Sequence, residues 1–71
     1  DALSDREREI VRWVVCGLSN KEIAAQLFIS LNTVLTHRKN IARKLDIHSV
    51  AGLTIYAIVN KLVDINELKQ A

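Results

Sequence analysis

Along this 71-residue chain the apolar positions recur at three- and four-residue intervals, and no stretch alternates apolar with polar long enough to form a strand. Helices are expected throughout. Ser4 followed by Glu7, and Ser19 followed by Glu22, carry the S-x-x-E spacing in which the serine accepts from a free backbone amide and the glutamate answers it. The first helix is expected over 5–16, with Ile10, Val11, Trp13, Val14 and Val15 apolar and Trp13 in the core, and it stops at Gly17, which tolerates the left-handed turn of a helix end. The second, over 20–27, turns Ile23, Ala24 and Leu27 inward. Phe28, Ile29 and Ser30 make a connection too short for side-by-side antiparallel packing. A third helix, over 31–45, should therefore cross the second at a large angle, which is a helix-turn-helix. Ser30 and Ser49 suit helix starts without a reciprocal acid. Ser49 opens a fourth helix over 50–62, and residues 64–71 read as a weak last turn and a fraying tail. The expected fold class is all-α, a single four-helix domain over residues 1–71.

The third helix is two-sided. At about 100° per residue Val34, Ile41 and Leu45 project within about 40° of one another and form an inner stripe. The opposite side presents Asn32, Leu35, Thr36, Lys39, Asn40 and Arg43, and no acid. A merely solvated helix face mixes signs and gains from opposite charges four residues apart. Cations, amides and hydroxyls alone suit phosphate oxygens and base edges in a DNA major groove. Asn32, Leu35, Thr36 and Lys39, outermost and towards the N-terminal end, are the candidate base readers. Lys39 suits guanine O6 or N7, Asn32 an adenine edge, and Leu35 or the Thr36 methyl a thymine methyl. His37, Arg38, Asn40, Arg43 and Lys44 flank that stripe or lie further along and are assigned to phosphates, with Thr33 adding a hydroxyl. Ser19, Asn20 and Lys21, at the free amides of the second helix start, offer another anion site.

A formal charge of +2 argues only weakly for a polyanionic partner, so its distribution matters. Acids gather at Asp1, Asp5, Glu7 and Glu9, whereas the segment from Lys21 to Lys44 also holds Arg38, Lys39 and Arg43 against the single acid Glu22. Trp13, Phe28 and Tyr56 are too scattered for a single-strand stacking platform, so duplex is the expected target. At 49% hydrophobic and 25% charged residues the chain should fold, and its length permits one domain. Cys16 has no partner for an internal disulfide, which fits a reducing cytoplasm, and it is expected as a small buried core residue. Cys16, His37 and His48 lack the close pairing of a zinc site, and no cofactor is implied. Glu7, Glu9 and Glu22 are expected as caps and surface ion pairs. No nucleophile, base and orienting group occur together, so an enzyme is not expected. The apolar run over 50–63 is shorter than the roughly 20 residues a membrane helix needs and contains Thr54, Asn60 and Lys61. With no signal peptide and no methionine, the chain is expected to be a piece of a longer cytoplasmic protein.

The residues Leu3-Ser4-Asp5-Arg6-Glu7-Arg8-Glu9-Ile10-Val11, Gly17-Leu18-Ser19-Asn20-Lys21-Glu22-Ile23-Ala24, Ile29-Ser30-Leu31-Asn32-Thr33-Val34-Leu35-Thr36-His37 and Lys44-Leu45 closely resemble the C-terminal helix-turn-helix domain of LuxR-type transcription regulators. The likeness runs in register over about residues 3–60. It implies a four-helix domain that binds a pseudo-palindromic promoter site as a dimer. It also implies an N-terminal signal domain outside this chain, receiver or ligand-sensing, and often a phosphorylatable receiver. The third helix would be the reader and the fourth a dimer helix, with base contacts at Leu35, Thr36 and Lys39. Three positions depart from the common pattern: Leu35 where many members have lysine, Asp46 where many have glycine, and Val50 where many have arginine.

The fourth helix is apolar on two sides. Val50, Leu53 and Ala57 are expected to face the core, while Ala51, Ile55, Ile58, Val59 and Leu62 cluster elsewhere and form the candidate dimer interface, the alternative being that an N-terminal domain outside this chain packs there. A twofold pair would set two recognition helices about 34 Å apart, one turn of duplex. Two rival readings use the same features. The chain could be an interaction module docking through its fourth helix, for instance on RNA polymerase, or a monomeric sigma-factor-like reader of a promoter element.

Overall fold

A computed structural model describes residues 2–68 of the chain. Five α-helices run in the order α1 (Asp5–Val15), α2 (Asn20–Leu27), α3 (Leu31–Leu45), α4 (Val50–Val59) and α5 (Ile65–Leu68), with no strand among the described residues. The chain is all-α, with the first three helices at the expected positions and α1 packed against α2, α3 and α4.

All four serines cap their helices. Ser4 Oγ accepts from the Glu7 amide at 3.2 Å while Glu7 Oε1 accepts from the Ser4 amide at 2.8 Å. Ser19 and Glu22 repeat the exchange at 3.1 and 2.7 Å. Ser30 Oγ takes the Thr33 amide and Ser49 Oγ the Gly52 amide, satisfying one orphan donor at each start. α1 ends where Gly17 turns left-handed at φ 99°, letting Leu18 and Gly17 donate back to the Trp13 and Val14 carbonyls. α2 ends in the same hand at Phe28, φ 57°, with Ile29 donating to Ala24.

The core joins Leu3, Ile10, Val11 and Val14 to Ile23 and Ala24 of α2, Val34 and Ile41 of α3, Leu53 and Ala57 of α4, and Val63. Trp13 packs against its edge, half-buried. Of the inner stripes read from periodicity, Ile23, Ala24, Val34 and Ile41 are buried, while Leu27 and Leu45 are half-buried against the core.

Five expectations need correction. α4 stops at Val59 instead of 62, because Lys61 adopts φ 59° and Leu62 donates back to the Ala57 carbonyl, which swings Val63 into the core. The segment after it is a helical turn, α5. Asp64 Oδ1 accepts from the Asn66 amide and Glu67 Oε1 from the Asp64 amide, a capping exchange that the spacing of Asp64 and Glu67 could have signalled. The end of the tail, residues 69–71, lies outside the described residues, as does Asp1. Cys16 is exposed, since it sits about 200° round from buried Val14. Val50 is exposed rather than core-facing, because the inward positions of α4 begin a turn later at Leu53. Glu7 is buried, at 4% exposure, instead of lying on the surface.

Candidate nucleic-acid interface

α3 lies with Val34 and Ile41 sealed in the core, and that rotation decides which side chains face outward. Asn32, Leu35, Thr36 and Lys39 are all exposed, and together they line one shallow recess of about 200 Å³. The four candidate base readers therefore form one contiguous surface. Leu35 within it and Leu31 at the start of α3 stay exposed, apolar groups outside the core cluster. The residues over 31–45 include no aspartate or glutamate. Lys39 and Arg43 have no acidic partner within ion-pair distance among the described residues, and neither has Lys21 at the start of α2. Lys39 and Arg43 thus stand uncompensated on this side of the fold, with Lys21 a third at the start of α2, the electrostatic condition for attracting a polyanion.

The candidate phosphate ligands are less uniform. Arg43 is open to solvent, while His37 and Asn40 are half-buried. The Thr33 hydroxyl lies 2.8 Å from Ser30 Oγ and so is engaged with the cap. Ser19 spends its hydroxyl on α2's first turn. Arg38 turns towards α2, where its Nη1 donates to Asn20 Oδ1 at 2.7 Å.

Lys44 is the member the structure sets apart. Its ammonium donates to Glu7 Oε1 at 2.8 Å, on the flank facing the start of α1, and its side chain is 20% exposed. The Lys44 bond, and next the Ser4 amide, hold the Glu7 carboxyl below its ordinary 4.5, against the opposing effect of burial. Lys44 thus neutralises an internal charge and ties α3 to α1. The pairing spans 37 positions and no spacing rule anticipates it.

On α4, Ala51, Ile55 and Val59 follow one another at four-residue intervals and are exposed, Ile55 at 64% and Val59 at 72%. Ile58 and Leu62, grouped with them on sequence, instead rest half-buried against the core. The candidate dimer stripe is therefore narrower than expected. Among the described residues no three His, Cys, Asp or Glu side chains gather to hold a metal, and no helix is long and apolar enough to cross a membrane.

A short capped helix, a three-residue turn and a longer helix presenting a cationic, acid-free face define a helix-turn-helix domain of the DNA-binding class. Comparison with known proteins agrees. Residues 1–57 match the family model for bacterial regulatory proteins of the luxR family. The chain is 53% identical over 55 residues to the nitrate/nitrite response regulator protein homolog of Haemophilus influenzae, covering 78% of this chain and 26% of that one. It is 49% identical over 63 residues to the transcriptional regulatory protein MctR of Rhizobium johnstonii, covering 89% and 29%. The crystal structure of the response regulator ChrA from a heme-sensing two-component system superposes with a TM-score of 0.77 at 41% identity, covering 89% of this chain and 31% of that one. The chain belongs to the LuxR family of bacterial regulatory proteins, whose members are DNA-binding transcription regulators. It spans less than a third of the length of these relatives.

Proposed function

We propose that the chain is the DNA-binding output domain of a bacterial transcription regulator, and that it reads a duplex site by placing α3 in the major groove. The observation that carries the reading is the acid-free recess formed by Asn32, Leu35, Thr36 and Lys39, with unpaired Lys39 and Arg43 beside it. In this reading those four side chains meet base edges, while Lys21, Arg38, Asn40 and Arg43 serve the backbone. Two copies pair through Ala51, Ile55 and Val59, and an N-terminal signal domain beyond this chain controls them from within the cytoplasm. The names of the relatives support such control, since two of them are response regulators. Docking on RNA polymerase is the rival use of the same exposed α4 stripe.

The test is equilibrium binding to duplexes selected from a random pool, as a function of salt. The logarithm of the wild-type constant should fall linearly with the logarithm of salt concentration, because each phosphate contact releases counterions with a slope of about 0.9. Lys39→Ala should weaken selected duplexes by about 1–3 kcal/mol and relax one position of the preferred sequence. Binding indifferent to both salt and Lys39 would refute the reading. Charge placed on α4 that abolishes function while Lys39 and Arg43 prove dispensable would favour the docking module instead.

A further inference from the structure

Arg38 does not belong to the open face of α3. It leaves the helix about 110° round from the middle of the stripe formed by Asn32, Leu35, Thr36 and Lys39, on the flank towards the start of α2. The residue lines a cavity of about 180 Å³ that Val11, Val14, Ile41, Leu53 and His48 also border. Its tip donates from Nη1 to Asn20 Oδ1 across 18 positions of sequence. The guanidinium is therefore held through Nη1 while the half-buried side chain borders open space. An arginine carries five N–H donors, and no acid among the described residues lies within ion-pair distance of those left over. Asn20 is also the first residue of α2, directly before exposed Lys21. The bond thus joins the reading helix to the end of its neighbour where cations and free amides meet.

We propose that Asn20 is a positioning residue that aims Arg38 at a DNA phosphate, so that the amide–guanidinium pair sets how α2 and α3 sit together on the duplex backbone. This rests on the DNA-binding reading of α3. An arginine left free on a flank loses rotamer entropy when it docks, whereas one already held by an acceptor loses less. A flank so far round from the base-reading stripe reaches the wall of a groove, where phosphates run, and not its floor. The competing role for the bond is a staple between two helices with no part in binding.

The experiment measures duplex binding by the 71-residue chain between about 50 and 200 mM salt for wild type, Asn20→Ala, Arg38→Ala and the double variant, with a melting temperature for each. Arg38→Ala should lower the salt slope by about one per bound subunit. Asn20→Ala alone should weaken binding about threefold to tenfold, and the double variant should bind no more weakly than Arg38→Ala, since Asn20 then has nothing to aim. Should Arg38→Ala melt below the assay temperature, Arg38→Gln keeps most of the stem and tests the same slope. A slope unchanged on removing Arg38, or a double variant whose loss is the product of the single losses, overturns the proposal. A wild-type slope sensitive to Lys39→Ala but not to Arg38→Ala sinks this inference and leaves the DNA reading standing. A wild type without salt dependence sinks both.

Discussion

Replacing Glu7 by glutamine removes a buried negative charge while hardly changing shape, and its consequences follow from the geometry. Glu7 is 4% exposed, and its Oε1 accepts from both the Ser4 amide and the Lys44 ammonium at 2.8 Å. Removing one partner of a fully buried ion pair costs about 3–5 kcal/mol, because the other charge is left uncompensated. Lys44 keeps a fifth of its side chain in solvent, so water relieves part of that penalty and a loss of about 2 kcal/mol is expected at neutral pH. A chain this long has roughly 4–10 kcal/mol of stability in total. The melting temperature should fall by about 8–16 °C, measured by circular dichroism alongside urea unfolding. The sign of the pH dependence is also determined. A carboxyl held below its ordinary 4.5 stabilises the fold fully above that value and loses the contribution as the pH falls through its lower folded-state value. The gap between wild type and Glu7→Gln should therefore be widest near pH 7 and close in acid, below pH 4.5. Adding Lys44→Met to Glu7→Gln should recover part of the loss, as an apolar chain replaces an unpaired ammonium. A Glu7→Gln variant within about 0.5 kcal/mol of wild type at neutral pH, or a gap that does not narrow in acid, would refute the claim that this pair is desolvated.

Other substitutions test the backbone and the outer surfaces. Asp46 closes α3 at φ 52° and sets a negative charge at a helix C-terminus, so Asp46→Gly should raise stability by about 1 kcal/mol in urea unfolding. Phe28 is left-handed and 95% exposed, so Phe28→Gly should gain about 1 kcal/mol with no core contact to lose; a destabilised variant would mean the ring packs after all. Ile55→Glu should leave the melting temperature within a few degrees, since the side chain is 64% exposed, yet should abolish pairing on DNA in sedimentation. Retained pairing would move the dimer contact away from α4.

The helices and their starts were legible in the residues because a cap and an amphipathic stripe are local. Ser4, Ser19, Ser30 and Ser49 each bond an amide three residues ahead, and Val34 and Ile41 share one side of a helix whatever it packs against. The acid-free face of α3 followed from the same periodicity, and with it the candidate base readers Asn32, Leu35, Thr36 and Lys39. The stop of α4 at Val59 was not legible, because Lys61 takes a left-handed conformation so that Val63 can enter the core. No local signal demands that turn. Nor could spacing show that Lys44 is joined to Glu7 and Arg38 to Asn20, across 37 and 18 positions. Those partners depend on the angles at which α1, α2 and α3 cross, and the crossing angles arise from packing. The residues by themselves thus determined the helix-turn-helix and its outward chemistry, while tertiary structure alone decided which of the cations on α3 stay without an internal partner.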